Sequence, residues 1–373
     1  MAGIYLHIPF CKQRCTYCDF HFSTNFGSYR KELIAALCRE IELRKVEIQT
    51  EVQTIYFGGG TPSLLENEEL SLILTTIREN YNVSETAEIS LEANPEDVCE
   101  EKLAHWKKEG INRLSIGLQS FKESDMQWMN RAHLASDGEK SVRLAQKLGF
   151  ENITVDLIYG LPELTKEEWK KHLELVTSLG ISHISAYCLT VEPKTALHHQ
   201  VKHNQLVTAD EDTQSEQFEL MVDFLKTKGF EQYEISNFAK NEQYSKHNSA
   251  YWQGVHYIGI GPSAHSFNGK QRRWNISNNT VYYKNVGVNN SWFTIENLSE
   301  KEQWNELFLT GLRTKWGVSK MAIKDLNSFS KAEFNLLQHY ISDGLMNETT
   351  SSFLLTDAGK IRADGIASSF FRV

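Results

Sequence analysis

The chain predicts an α/β protein: a partial (β/α)6 TIM-like barrel followed by a C-terminal helical, winged-helix-like module. Three observations predict it. Short apolar runs alternate with longer stretches of helical spacing; glycines stop three of those stretches just before a new run; and from about residue 291 the alternation gives way to helices and one hairpin. Alternating strands and helices imply parallel pairing, because parallel neighbours need a crossover connection.

The apolar runs at 4–8, 54–57, 88–91, 113–118, 153–158 and 183–189 read as six strands. Between them, 29–48, 66–79, 96–109, 123–148 and 166–179 carry helical spacing. Asn94-Pro95 offers a cap with proline at the first helical position, and Gly110, Gly149 and Gly180 stand where helices should stop. In such a barrel, reactive groups gather where strands end and loops begin. Residues 206–290 break the rhythm with a helix over 209–228, the segment 233–238 and a glycine-rich stretch at 258–263; they are expected to cap the barrel. Beyond them, helices over 302–313, 320–326 and 331–341, a hairpin across 345–355 and a last helix over 357–371 complete the chain. The expected units are thus 1–205, 206–290 and 291–373.

Composition narrows the function. The 373 residues are 40% hydrophobic and 23% charged, ordinary for a soluble protein, and no run approaches the ~20 apolar residues of a membrane span. The N-terminus shows no secretory pattern, so a cytoplasmic location is expected. A net charge of -9 weighs against nucleic acid, and the wing at 346–353 lacks any lysine or arginine to meet phosphate.

Six cysteines are too few for a disulfide framework in a chain this long, and Cys11, Cys15 and Cys18 share one loop just past the first strand at metal-ligand spacing. Three thiolates can hold three corners of a 4Fe-4S cluster and leave the fourth iron open. With His21 they could equally complete a tetrahedral zinc site, and spacing alone leaves both readings open. The position at a strand end, with companions at later strand ends, favours the cluster. Cys38 shares a helical face with Ile34, Leu37 and Ile41 and reads as a small buried hydrophobe; Cys99 and Cys188 are read alike.

The companions begin with Gly58-Gly59-Gly60-Thr61-Pro62 after the second strand, where glycines let backbone approach a ligand and exposed amides can receive a carboxylate. Later come Glu92, Gln119, Arg131 and Asp156. Carboxylates can bind ribose hydroxyls, and an arginine can neutralise a ligand carboxylate. Taken singly, each would serve as well in a surface ion pair or a cap.

Together, Cys-x3-Cys-x2-Cys and these companions resemble the radical S-adenosylmethionine superfamily over the first two hundred residues or so. The resemblance implies that an open iron binds the amino and carboxylate groups of S-adenosylmethionine, which one electron can cleave to methionine and a 5'-deoxyadenosyl radical. It implies further that Gly59, Gly60 and Thr61 hold the methionine part and that Glu92, Gln119, Arg131 and Asp156 are cofactor contacts. Tyr5 and Tyr17 would flank the cluster. This set is similar to the branch of oxygen-independent coproporphyrinogen III oxidase, which decarboxylates propionate side chains. Those oxidases carry an extra N-terminal segment and usually a fourth cysteine two residues after the third, where this chain has Phe20 and only ten residues before Cys11.

Both departures resemble instead the HemW-type haem chaperones, which bind haem and pass it to acceptor proteins. His247-Asn248-Ser249-Ala250-Tyr251-Trp252 is similar to the motif associated with haem binding there, and a histidine can ligate haem iron while aromatics pack on the porphyrin. A lone histidine is ordinarily a surface or capping residue. The expectation is therefore a haem chaperone carrying a 4Fe-4S cluster and S-adenosylmethionine, with haem as cargo and haem-acceptor proteins and a reductant as partners. Coproporphyrinogen oxidation is the alternative.

Overall fold

A computed structural model describes residues 2–373. The six expected strands form β1 (Ala2–Ile8), β2 (Val52–Gly59), β3 (Val83–Ala93), β4 (Arg113–Gln119), β5 (Asn152–Tyr159) and β6 (His183–Cys188), paired in parallel in that order. Helices Arg30–Leu43, Asn67–Asn80, Glu100–Lys108, Ala135–Lys147 and Lys166–Ser178 return the chain between them. Side chains alternate across a strand: along β1, Ile4, Leu6 and Ile8 join one apolar core with Leu33, Leu37 and Ile41, while Tyr5 and His7 line a cavity on the other face.

The segment expected to cap the barrel extends its sheet instead. β7 (Glu231–Glu234) pairs antiparallel with β8 (Asn237–Ala239), which pairs antiparallel with β6, whereas β9 (Tyr257–Ile260) pairs in parallel with β1. β10 (His265–Phe267), β11 (Gln271–Asn275) and β12 (Phe293–Asn297) follow antiparallel, giving the order β12-β11-β10-β9-β1-β2-β3-β4-β5-β6-β8-β7. The sheet therefore runs past residue 290. These added strands have three to five residues, too short to declare a period, and β9 pairs with a strand some 250 positions away. At Gly259 a Cβ would stand 2.0 Å from the His265 carbonyl oxygen, so only glycine permits that turn to close against the strand.

A buried carboxylate fastens this edge. Glu40 accepts from Arg44 Nη1 (3.0 Å), Asn275 Nδ2 (2.9 Å), Tyr282 OH (2.6 Å) and Gly261 N (2.9 Å). Arg44 Nη1 also reaches the Gly259 carbonyl at 2.7 Å.

Two expected helices are broken. The stretch 123–148 divides into Glu123–Trp128 and Ala135–Lys147, with Asn130 left-handed at φ 54° between them, and the last helix divides into Asp357–Lys360 and Ala363–Ser369. In the C-terminal module, Glu300–Gly311, Lys320–Asp325 and Lys331–Ser342 pack with β13 (Val318–Ser319), β14 (Met346–Glu348) and β15 (Ser352–Leu355), in sheet order β13-β15-β14. Its core of Trp304, Phe308, Leu337, Phe353 and Phe370 is separate from the barrel's, and Ile235 N to Arg313 O (3.1 Å) and Lys315 N to Tyr233 O (2.9 Å) join the two. Among the described residues no helix is long and apolar enough to cross a membrane.

Candidate functional site

Two adjoining cavities, of about 610 and 1310 Å³, open on the concave face of the sheet. The smaller gathers every site residue expected from the sequence except Tyr5 and His247, which line the larger.

The thiol loop leaves β1 at Pro9 and is closed at its neck, where Cys11 N donates to Ser23 O (3.1 Å) and Ser23 N to Pro9 O (2.9 Å). Cys11 Sγ accepts from the Thr61 hydroxyl and Cys15 Sγ from Arg131 Nη1, each at 3.5 Å. Lys12, between two of the thiols, pairs with buried Asp97, which also accepts from Ser63 Oγ at 2.8 Å. Burial pushes the Cys11 thiol up to about 11 and the Cys18 thiol up to about 12. Among the described residues no three His, Cys, Asp or Glu side chains converge as the ligands of one metal ion would. The thiols line one cavity wall instead, and a four-iron cluster takes one thiolate per corner iron. His21 does not complete a zinc site with them: its Nε2 bonds Asn279 Oδ1 at 2.7 Å and its ring lines the other cavity.

Strand ends deliver the rest. Gly59 ends β2 at φ 107°, and a Cβ there would stand 2.6 Å from the His7 ring, so the backbone turns toward the thiols only as glycine. Register sets Glu92 opposite Ser115 and Asp156 opposite Gly117, bringing both carboxylates into one cavity. Burial pushes Glu92 up to about 7, with the Tyr56 hydroxyl (2.7 Å) opposing and the Asp156 charge adding. Burial likewise raises Asp156 to about 6 against the Ser115 hydroxyl, 3.1 and 3.0 Å from its two oxygens. Gln119 closes β4 at φ 67°, an uncommon conformation for a residue with a side chain. Arg131 sits in the break between helices, giving Nη2 to Asn94 Oδ1 (2.6 Å) and to Gly117 O (3.0 Å).

Sequence reasoning missed Asn94, Tyr56 and Ser115. Asn94 is followed by the short 3-10 turn Pro95–Asp97, makes no side-chain cap bond and spends its amide on Arg131 and Thr61. Tyr56 and Ser115 stand at inward positions of β2 and β4; strand alternation two residues back from Gly58 and from Gly117 was the signal that could have found them. Cys99, read as buried, is exposed.

In the larger cavity, His247 lies at the start of helix Lys246–Trp252, whose first amides are fixed by Glu88: Lys246 N and His247 N each donate to it at 3.1 Å. His247 Nδ1 shares a hydrogen bond of 2.9 Å with Thr54 Oγ1, and its ring stacks on Tyr56 at 5.0 Å and 25°. Burial lowers the imidazole to about 4, so it is neutral at pH 7. Trp252 lines the same cavity with Arg313 5.4 Å above its ring, and Tyr251, 45% exposed, packs against Trp252. Phe20, 66% exposed, borders both cavities.

A three-thiol loop at the end of the first strand of a partial parallel barrel defines a radical S-adenosylmethionine protein. The sequence profile of the Radical SAM superfamily matches residues 5–176, and that of the HemN C-terminal domain matches 298–361. Heme chaperone HemW of Bacillus subtilis (strain 168) is 34% identical over 376 residues, covering 99% of each chain. Heme chaperone HemW of Lactococcus lactis subsp. lactis (strain IL1403) is 33% identical over 95% of this chain and 93% of its own. The chain belongs to the HemW family. The structure of coproporphyrinogen III oxidase (HemN) from Escherichia coli superposes with a TM-score of 0.85 over 99% of this chain and 89% of that one; at 24% identity the likeness is one of fold.

Proposed function

We propose that this protein is a haem chaperone that holds haem in the larger cavity through His247 and passes it to acceptor proteins. The observation that carries the reading is His247 itself: a neutral imidazole, fixed through Nδ1 by Thr54 and through its face by Tyr56, on the wall of a cavity of about 1310 Å³. Neutral imidazole is the form that ligates iron. Membership of the HemW family, whose curated relatives bear the name heme chaperone, supports it.

In the same reading, Cys11, Cys15 and Cys18 ligate a 4Fe-4S cluster, with Tyr17 beside them, and the smaller cavity holds S-adenosylmethionine. When bound, that pair supplies one-electron reductive cleavage, so a reductant is a further partner. Arg131 offsets thiolate charge at Cys15; Gly59, Gly60 and Thr61 offer a close backbone surface to the amino-acid end; Glu92 and Asp156 accept hydroxyl protons; Gln119 adds an amide. Tyr5, 6.1 Å from Tyr56 and 6.3 Å from His247 in stacked geometry, braces the haem side. The working division is a cofactor barrel over 1–205, a haem-handling segment from 206 that includes β12, and a closing module after it, in a cytoplasmic protein without a nucleic-acid partner.

The full set of cofactor groups in one cavity also favours a second reading, radical decarboxylation of coproporphyrinogen propionates. Against it stands Phe20, where those oxidases usually place another cysteine. Anaerobic cluster reconstitution, followed by haem titration and a coproporphyrinogen assay on wild type and His247→Ala, separates the two. The expected result is haem binding without porphyrinogen turnover, with affinity falling about tenfold or more in the variant. Turnover without stable haem binding overturns the chaperone reading, and unchanged affinity in His247→Ala overturns the ligand.

A further inference from the structure

Of the side chains shared by the two cavities, Tyr56 touches the key group of each. Tyr56, on β2, donates its hydroxyl to Glu92 Oε1 at 2.7 Å, and the face of the same ring stacks on His247 at 5.0 Å and 25°. Its other neighbour, Tyr5, stacks at 6.1 Å and 25° and fixes the ring plane. Tyr56 and Glu92 both line both cavities. His247 in turn is held by Thr54, two residues earlier on the strand that carries Tyr56. A shift of Tyr56 therefore cannot leave either partner undisturbed, since the interior is close-packed and offers discrete arrangements only.

We propose that Tyr56 is a positioning residue shared by the two sites, so that a nucleoside-bearing ligand on Glu92 and haem on His247 bind with positive coupling. The proposal rests on the haem-chaperone reading above. The physical basis is common ordering. A carboxylate has lone pairs enough to keep the Tyr56 hydroxyl while accepting two ribose hydroxyls, so a ligand on Glu92 stabilises the arrangement in which Tyr56 is hydrogen-bonded. Haem on His247 requires the same ring in place behind the imidazole. Whichever ligand binds first bears the entropy of fixing Tyr56, and the second binds to a site already ordered. Linkage makes the effect reciprocal.

The test measures haem Kd by Soret titration of the cluster-reconstituted protein, without reductant, in the absence and presence of saturating S-adenosylmethionine. Wild type is expected to bind haem at least about fivefold tighter with S-adenosylmethionine present, the lower end of ordinary allosteric coupling. In Tyr56→Phe, which keeps the ring and removes the hydroxyl that reaches Glu92, the ratio of the two haem Kd values is expected to fall toward one. The converse titration, S-adenosylmethionine Kd with and without haem, should lose the same factor. A wild-type ratio of one, or a ratio in Tyr56→Phe equal to that of wild type, overturns the coupling. Either result alongside haem binding that still depends on His247 leaves the chaperone reading standing. Haem affinity indifferent to His247→Ala removes the assigned ligand and with it the coupling.

Discussion

Arg131 donates from Nη1 to Cys15 Sγ at 3.5 Å while its Nη2 is held by Asn94 Oδ1 at 2.6 Å. The guanidinium is thus aimed, not merely near. Burial opposes its charge, yet Tyr17 and Cys15 beside it hold the group protonated well above the usual range, so it is a permanent cation against the thiol loop.

Hydrogen bonds to cluster sulfurs raise the reduction potential, because they favour the more negative, reduced state. Arg131→Gln is therefore expected to lower the potential of the reconstituted cluster. A differential of about 1 kcal/mol corresponds to about 40 mV for one electron. Redox titration followed by EPR measures it; an unchanged potential at full iron loading would show that the Arg131–Cys15 contact does not persist around the cluster.

Glu92 gives a pH dependence of stability in the protein without cofactors. Its carboxyl rises from 4.5 to about 7 on folding, mainly through burial, so between those values the folded chain binds the proton more tightly than the unfolded one. Its stabilising contribution is complete below about 4.5 and is lost as pH rises through 7, amounting to about 3 kcal/mol across the window. Glu92→Gln should flatten the fall in Tm between pH 5 and 8 and melt higher than wild type at pH 8. A pH profile identical to wild type would contradict the buried environment assigned to this side chain.

Haem ligation by His247 should resist mild acid. The imidazole is held near 4 by burial, so protonation competes with iron only at or below that pH, whereas an exposed histidine begins to lose iron to protons at higher pH. The Soret band of the haem complex is expected to be constant from pH 7 to 5. Loss of ligation between pH 7 and 5 would mean that the iron sits on a different, exposed histidine.

Cysteine variants divide by position. Cys11→Ser, Cys15→Ser or Cys18→Ser should abolish iron binding, whereas Cys99→Ser should keep full iron and remove the thiol that alkylates fastest, since Cys99 alone among the six is exposed. Iron analysis and mass spectrometry after brief iodoacetamide treatment read both. Iron loss in Cys99→Ser, or first alkylation at another thiol, would contradict this division.

What was legible in the sequence was whatever is local. The six strands, the glycine stops and the thiol loop each declare themselves within about ten residues, and most of the proposed cofactor residues fall at or near strand ends, where a parallel barrel puts them. The break that seats Arg131 was invisible because Met129 to Leu134 contains neither glycine nor proline, and Asn130 enters the left-handed region without either. β9 was missed because Ile258-Gly-Ile-Gly reads as a loop until β1 is beside it. Tyr56 escaped for a third reason: its importance lies in touching Glu92 and His247 at once, a relation across 36 and 191 positions that no spacing encodes.

The edge strand β9 brings the last prediction. Glu40 is fully buried and answers four donors, among them Arg44, itself 3% exposed. Removing Glu40 leaves Asn275, Tyr282 and the Gly261 amide without this acceptor and leaves Arg44 to Glu47 alone, 2.7 Å away, at a cost of roughly 3–5 kcal/mol. Glu40→Ala should therefore cost more stability than Glu40→Gln, whose side-chain oxygen still accepts from some of these donors. The loss should also be felt first in the larger cavity. Glu40 holds Gly261 and Asn275, which flank the strands that carry Tyr257 and His265 into the haem-side wall, whereas the thiol loop hangs from β1, β2 and the Arg131 break. Glu40→Ala is expected to weaken haem binding at temperatures where iron content is still complete. Parallel loss of iron and haem on a thermal ramp would show that the edge and the cofactor barrel melt as one unit.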